Sequence, residues 1–374
     1  MASLFSQSLF IHAYTLSYAP SDLLSMPIAA SRLLHRSALI AAAALLASPL
    51  AAQSATAPYH VIAAHTLGGD GGWDYLALDT AFHRVFVARN DRVMVIDEES
   101  GKLLTEITGL HRTHGVAFDY RTSHGFVTGS GDSSVTMFDL VTLKVLATTK
   151  AGAGTDGLIF DEGSSHAFSF NGGANDATVV DGATGASIAT IPLGGRPEFA
   201  ASDGVGKVFV NLEDSSAIVE IDSKHNRVVR RWALAPCESP SGLAIDVAHH
   251  RLFSGCENKM MAVSDYRTGK VIATAPIGRG VDANRYDPST GLAFSSNGEG
   301  SITVVKEDSP GKFSVLQTIS TSPGARTMEL DRASHRLFTV TARFGAAPEQ
   351  ATADNPRKRP PILPNSFVLL VYGR

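Results

Sequence analysis

The sequence predicts an all-β chain folded as a seven-bladed β-propeller with four-stranded antiparallel blades. Two observations carry that reading. Phenylalanine recurs in one slot at Phe86, Phe126, Phe168, Phe209, Phe253, Phe294 and Phe338, with spacings of 40, 42, 41, 44, 41 and 44. An aspartate runs ahead of each, at Asp79, Asp119, Asp161, Asp203, Asp246, Asp287 and Asp331, by seven residues in six units and by six in the unit of Asp203. A period near 42 residues is the length of a propeller blade.

Within each unit the order of elements is constant. An apolar run leads to the Asp, as in Gly242-Leu243-Ala244-Ile245-Asp246, and a polar turn follows. A second run carries the Phe, as in Arg251-Leu252-Phe253-Ser254. A third run often ends in Asp, as in Val93-Met94-Val95-Ile96-Asp97. A turn such as Glu99-Ser100-Gly101-Lys102 leads to a fourth. Apolar runs with alternation, bounded by Gly, Asp, Asn and Ser, read as strands and turns. The last unit has a third strand at 367–372 and no fourth. Residues 59–67 precede the first unit and look like the missing strand, so the N-terminal strand is expected to close the ring in the last blade.

Residues 1–52 read as a secretory signal peptide: a basic segment at 31–36, an apolar run from Ser37 to Leu46, and small residues ending at Ala51-Ala52. An N-terminal membrane anchor is the competing reading, but the apolar run is short for a span. Met26 offers an alternative start that would leave 1–25 outside the translated chain. Residues 53–374 form the expected single propeller domain, and no later stretch approaches 18 apolar residues. Losing 1–52 removes Arg32, Arg36 and Asp22 and leaves 30 basic against 35 acidic residues, a net charge of −5. An acidic balance argues against sequence-independent nucleic-acid binding, which relies on basic grooves. The local cluster Arg357-Lys358-Arg359 does not change that.

The two cysteines, Cys237 and Cys256, flank the first two strands of the fifth unit. Those strands pair antiparallel, so both cysteines fall at one end of the blade and a disulfide is expected. Closing a loop of ~20 residues would stabilise by about 3 kcal/mol in the chain-entropy picture. Free thiols or a soft metal site are the alternatives. No CxxC or CxxCH occurs, so thioredoxin chemistry and c-type haem attachment are unsupported.

The blade-opening Pro240-Ser241-Gly242-Leu243-Ala244-Ile245-Asp246 and the blade-closing Val95-Ile96-Asp97 with Gly101-Lys102 resemble the YncE-like, YVTN-type seven-bladed propellers of bacterial periplasms. The resemblance covers 59–374. Units one and six depart from it: Trp73-Asp74-Tyr75 and Val281-Asp282-Ala283 replace Pro-x-Gly. The resemblance implies a periplasmic or secreted propeller. It leaves catalysis open, since it extends to binding proteins and, more remotely, to lactonases and lyases.

The residue five before each repeat Asp is Asp74, His114, Asp156, Glu198, Ser241, Asp282 or Arg326. All are polar, and ring symmetry should gather them at the channel mouth. There Asp74, His114, Asp156, Glu198, Asp282 and Arg326 are expected to bind a ligand, with Asp74, Asp156, Glu198 and Asp282 suited to a divalent cation such as Ca2+ or Mg2+. Clustered carboxylates raise one another's pKa, which is how general bases arise. Turn-capping and water-filled channel lining are the plainer reading. Asn90, Asn171, Asn211, Asn258 and Asn297, with Arg89 and Glu213 nearby, suit ligand contacts and turns equally. Trp73, Tyr75 and Phe199 either form a recognition platform or pack between blades. The segment 342–366 is long and holds five prolines, reading as a structureless cover or a Pro-rich docking strand. Gly68-Gly69-Asp70-Gly71-Gly72 reads as a crossing into the first unit and not as a phosphate cradle, because no helix follows it.

GxSxG, HExxH, GxxxxGK[ST] and EF-hand loops are absent. The function expected is therefore binding of a small molecule or periplasmic protein by a monomeric, non-catalytic propeller. The alternative is a metal-assisted hydrolase, lactonase or lyase with His114 or Glu198 as base.

Overall fold

The computed structural model of the protein describes residues 57–351 and 358–374. The expected signal peptide and the Met26 start lie outside the described residues, as do Pro356 and Arg357. The chain is built from strands in chain order. After β1 (His60–Thr66) come β2 (Leu76–Asp79), β3 (Arg84–Asp97), β4 (Leu103–Asp119), β5 (His124–Gly129), β6 (Ser134–Asp139) and β7 (Val145–Lys150), which make one six-stranded sheet. Four-stranded antiparallel sheets follow. The first holds β8 (Thr155–Asp161), β9 (His166–Asn171), β10 (Asp176–Asp181) and β11 (Ser187–Pro192). The second holds β12 (Pro197–Ser202), β13 (Lys207–Leu212), β14 (Ala217–Asp222) and β15 (Arg227–Ala233). Then come β16 (Pro240–Asp246), β17 (Arg251–Cys256), β18 (Met260–Asp265) and β19 (Lys270–Pro276), and β20 (Val281–Asp287), β21 (Leu292–Asn297), β22 (Ser301–Ser309) and β23 (Lys312–Ser320). Strands β24 (Met328–Asp331), β25 (Arg336–Thr341) and β26 (Val368–Gly373) complete their sheet with β1.

That last pairing is the expected closure: β1 lies antiparallel on β26, from His60 opposite Gly373 to Thr66 opposite Val368. The count of seven blades is corrected, because the described strands fall into six sheets and the first two repeats share one of them. The reason is local. Repeat one connects its second and third strands through Asn90-Asp91 alone, where repeat two uses the four residues from Ser130 to Ser133. The short link keeps β3 unbroken, and Asn90 pairs with Thr113 of β4, which runs on into repeat two.

The repeat residues have clear physical jobs. All seven repeat phenylalanines are at most 1% exposed. Several pack on an aromatic that precedes the Asp of the next repeat: Phe86 edge-on to Phe118 at 5.0 Å, and Phe126 and Phe253 stacked on Phe160 at 6.1 Å and Tyr286 at 5.0 Å. Such pairs add about 0.5–1.5 kcal/mol beyond area burial. The repeat aspartates cap the turn behind them. Asp203 accepts from the N–H groups of Val205, Gly206 and Lys207, and Asp331 from those of Ala333 and Ser334. A short acceptor that reaches its own backbone is why Asp recurs there.

Cys237 and Cys256 form a disulfide, with their Cα atoms 5.5 Å apart. Segment 342–366 is not structureless at its base. Phe344 bridges Ile362, the Gly345 N–H donates to the Pro361 carbonyl at 2.8 Å, and the Leu363 N–H to that of Arg343 at 2.8 Å. Among the described residues, no helix is long and apolar enough to cross a membrane.

Candidate ligand-binding site

A bulge places the polar slot. In five repeats the ladder between the first two strands slips by one residue around it: between Thr113 and Val116, Thr155 and Leu158, Pro197 and Ala200, Pro240 and Leu243, and Val281 and Asn284. A bulge leaves one residue unpaired and re-aims its neighbours. It turns the side chains of His114, Asp156, Glu198 and Asp282 out of the ladder.

Five of the slot residues come into contact: Asp282, Arg326, Asp74, His114 and Asp156. Arg326 bridges two of them, with Nη1 at 3.2 Å from Asp282 Oδ1 and Nη2 at 3.1 Å from Asp74 Oδ1. His114 Nδ1 makes a very short contact with Asp74 Oδ2 and lies 3.4 Å from Asp156 Oδ1. Its other nitrogen, Nε2, is 2.8 Å from the Ser130 hydroxyl. Going round from Asp282 through Arg326, Asp74 and His114 to Asp156, the charges alternate in sign. Glu198 breaks the alternation. It follows Asp156 with a like charge, and its carboxylate has no ion pair or hydrogen bond among the described residues. Ser241 is neutral and buried, its hydroxyl donating to the Asp282 carbonyl at 3.3 Å.

The titration behaviour follows this geometry. Burial, then the neighbouring Asp74, pushes the Asp156 carboxyl up to about 6. Burial and Asp156 hold Glu198 well above the usual carboxylate range. Burial raises Asp282 as well, with Arg326 opposing it. Burial works against charge on His114, but Asp74 and Asp156 outweigh it and raise the imidazole. Asp282 above all holds the Arg326 guanidinium in its charged form.

Next to the slot, two aromatic side chains meet. Tyr75 of repeat one and Phe199 of repeat four meet with ring centroids 4.7 Å apart. The Arg285 guanidinium lies 5.9 Å from the Phe199 ring and is clamped by Glu329 through bonds of 2.6 and 2.9 Å. The position after the slot is Tyr75, Gly115, Gly157, Phe199, Gly242, Ala283 or Thr327, so two large residues fill the space that small ones leave. A Cβ at Gly157 would stand 2.9 Å from the Glu198 carbonyl oxygen and 3.4 Å from the Tyr75 hydroxyl. That hydroxyl is buried without a partner, and burial, then Asp156 and Glu198, raises its pKa far above normal. Tyr75 and Phe199 also line a chamber of about 1120 Å³ whose walls include none of the slot residues.

Other residues singled out by sequence do structural work. Asn211 donates to the Ser241 and Gly242 carbonyls, Asn171 to Asp176 and Thr178, and Asn297 to the Ser301 and Thr303 hydroxyls; all three are fully buried. Asn258 ties Glu238 and Pro236, Asn90 takes the tight link with φ of 53°, and Glu213 pairs with Arg196 at 3.3 Å. Arg89 is fully buried, and its guanidinium donates to the carbonyls of Gly72, Asp70 and Gly71 at 3.1, 2.8 and 3.1 Å. Burial pushes it down to about 10. The glycines, with φ of 66° at Gly68, 75° at Gly69 and 94° at Gly71, let that loop turn its carbonyls onto one cation. Trp73 packs on Phe367 at 5.1 Å and on Phe344 of the proline-rich segment at 6.0 Å, which sets that segment beside Asp74. Ser130 was not legible as a partner of His114. Its only signal is a hydroxyl at the end of the second strand of the same repeat.

No protein-family model matches the sequence, and a sequence search of curated proteins finds no match either. Among solved structures, the chain is similar to the WD40 β-propeller domain of Doa1, with a TM-score of 0.64, 15% identity, and coverage of 84% of this chain and 97% of that one. It is also similar to U3-55K, with a TM-score of 0.66, 12% identity, and coverage of 83% and 98%. At these identities the likeness shows the fold alone: the protein is a β-propeller with WD40-type structural neighbours.

Proposed function

We propose that the protein is an exported binding propeller whose channel mouth receives a positively charged group. The observation that carries this is the break in alternation at Glu198. Five slot residues pair with one another, and the surplus negative charge stays on the arc of Asp156 and Glu198. The floor of that arc is aromatic, and carboxylates with an aromatic face suit an organic cation or a Lys or Arg side chain of a protein partner. Export is supported by the expected leader and by the disulfide, which forms in oxidising compartments. Within the same reading, the six-stranded sheet is two blades joined by the short Asn90-Asp91 link, giving seven units like those of YncE-like propellers. Its support is that both repeats carry a buried slot phenylalanine, Phe86 and Phe126. The functional reading is tested by calorimetric titration with 1,4-diaminobutane against neutral 1,4-butanediol. Saturable binding of the diamine alone is expected; equal or absent binding of both would refute it.

A further inference from the structure

We infer that the channel mouth holds a first-row transition dication of the Zn2+ class, bound by Asp74, His114 and Asp156, and that Ca2+ and Mg2+ are the poorer fit. This deepens the reading of the mouth as a cation receptor and rests on it. One ligand atom from each of the three residues lies within 4.8 Å of the others. The imidazole decides the metal. Ca2+ and Mg2+ favour all-oxygen shells, whereas a nitrogen among carboxylates suits Zn2+ and its neighbours.

The orientation of the ring supports a ligand at Nδ1. The Ser130 hydroxyl lies 2.8 Å from His114 Nε2 and 3.4 Å from the Arg112 carbonyl, so with its proton toward that carbonyl it accepts from Nε2–H. That leaves Nδ1 facing Asp74 and Asp156, whose oxygens only accept. A positive centre must sit between these atoms, either a proton on Nδ1 or a metal ion. A partner that fixes the far nitrogen of a metal-binding histidine is a recurrent feature of such sites.

An independent observation points to a missing ligand. The Tyr75 hydroxyl is buried, has no partner, and stands 3.4 Å from where a Cβ of Gly157, the residue after Asp156, would sit. A buried hydroxyl without a bond is costly. A metal-bound water at the fourth position has two O–H groups, one to donate to the Tyr75 hydroxyl oxygen and one to the unpaired Glu198 carboxylate.

The test is calorimetric titration of the chelator-stripped protein with Zn2+ and Ca2+. One Zn2+ per chain is expected, bound about 100-fold or more tightly than Ca2+. His114→Gln should abolish the preference, and Ser130→Ala should weaken Zn2+ about tenfold. Melting curves identify variants that do not fold, and Asp156→Asn replaces His114→Gln if it is one of them. Zn2+ binding indifferent to these variants would lie on other histidines and overturn the inference, as would Ca2+ binding as tightly as Zn2+. If neither metal binds but 1,4-diaminobutane does, the metal is refuted and the cation receptor stands. If nothing binds, both fall.

Discussion

The two arcs of the ring solve one electrostatic problem in opposite ways. From Asp282 through Arg326 and Asp74 to His114, each charge has an opposite neighbour within about hydrogen-bonding range. From Asp156 to Glu198, two half-buried carboxylates adjoin, and partial burial holds both above their normal pKa. The first arc is finished by the fold. The second is left short of positive charge. A cluster of like charges tolerated in the apo protein is where a ligand of opposite sign gains most. The slot is the same in both arcs, so the difference lies in residue type alone.

Breaking the finished arc should cost most. Arg326→Gln removes the cation between Asp74 and Asp282. A fully buried pair broken this way costs about 3–5 kcal/mol; the Arg326 side chain is 41% exposed, so about 2 kcal/mol is expected. Thermal unfolding should show a drop of a few degrees, and an unchanged midpoint would mean that the arc is not self-supporting.

The next effect sharpens the comparison at the other arc. Gly157→Ala places a Cβ against the Glu198 carbonyl oxygen, which backbone cannot easily yield. Overpacking of this kind costs about 1–3 kcal/mol. Because the strain falls on the strand that carries Glu198, diamine binding should weaken along with stability. Weakened stability with unaltered binding would separate Glu198 from the site.

A smaller effect is expected from pH. The raised carboxyls of Asp156, Glu198 and Asp282 bind protons more tightly folded than unfolded, as does the raised His114. The carboxyls' contribution is fully present below about pH 4 and is lost as pH rises through their raised values, about 6 for Asp156. The lowered carboxyls, such as Asp97 and Asp139, act below pH 4 and do not oppose this window. With chelator present, the midpoint at pH 5.5 should exceed that at pH 8, and Glu198→Gln should narrow the gap. A midpoint that rises from pH 5.5 to 8 would contradict the unpaired arc.

Much of this was legible in the sequence because period and burial are local. The phenylalanine slot, the aspartate before each turn and the N-terminal strand in the last sheet follow from spacing and alternation. The polar slot is fixed five residues before each Asp, although nothing in the pattern announces the bulge that turns those side chains out of the ladder. What the spacing did not show are pairings across repeats. The alternation of sign, the Ser130 hydroxyl on His114, and the meeting of Tyr75 with Phe199 are relations between residues that only the closed ring brings together. Arg89 within the glycine loop was hidden for the same reason: carbonyl groups leave no trace in residue type. The merged sheet came from two missing loop residues at Asn90-Asp91, a change too small for the period to reveal.

The distinction between the arcs turns on Glu198, and one variant tests it directly. In Glu198→Gln, the melting midpoint at pH 7.5 should stay level or rise, because a disfavoured buried charge is gone. The affinity for 1,4-diaminobutane should fall at least tenfold, the equivalent of about 1.4 kcal/mol. A lower midpoint with unchanged affinity would show Glu198 to be part of the scaffold and the receptive arc to be misplaced.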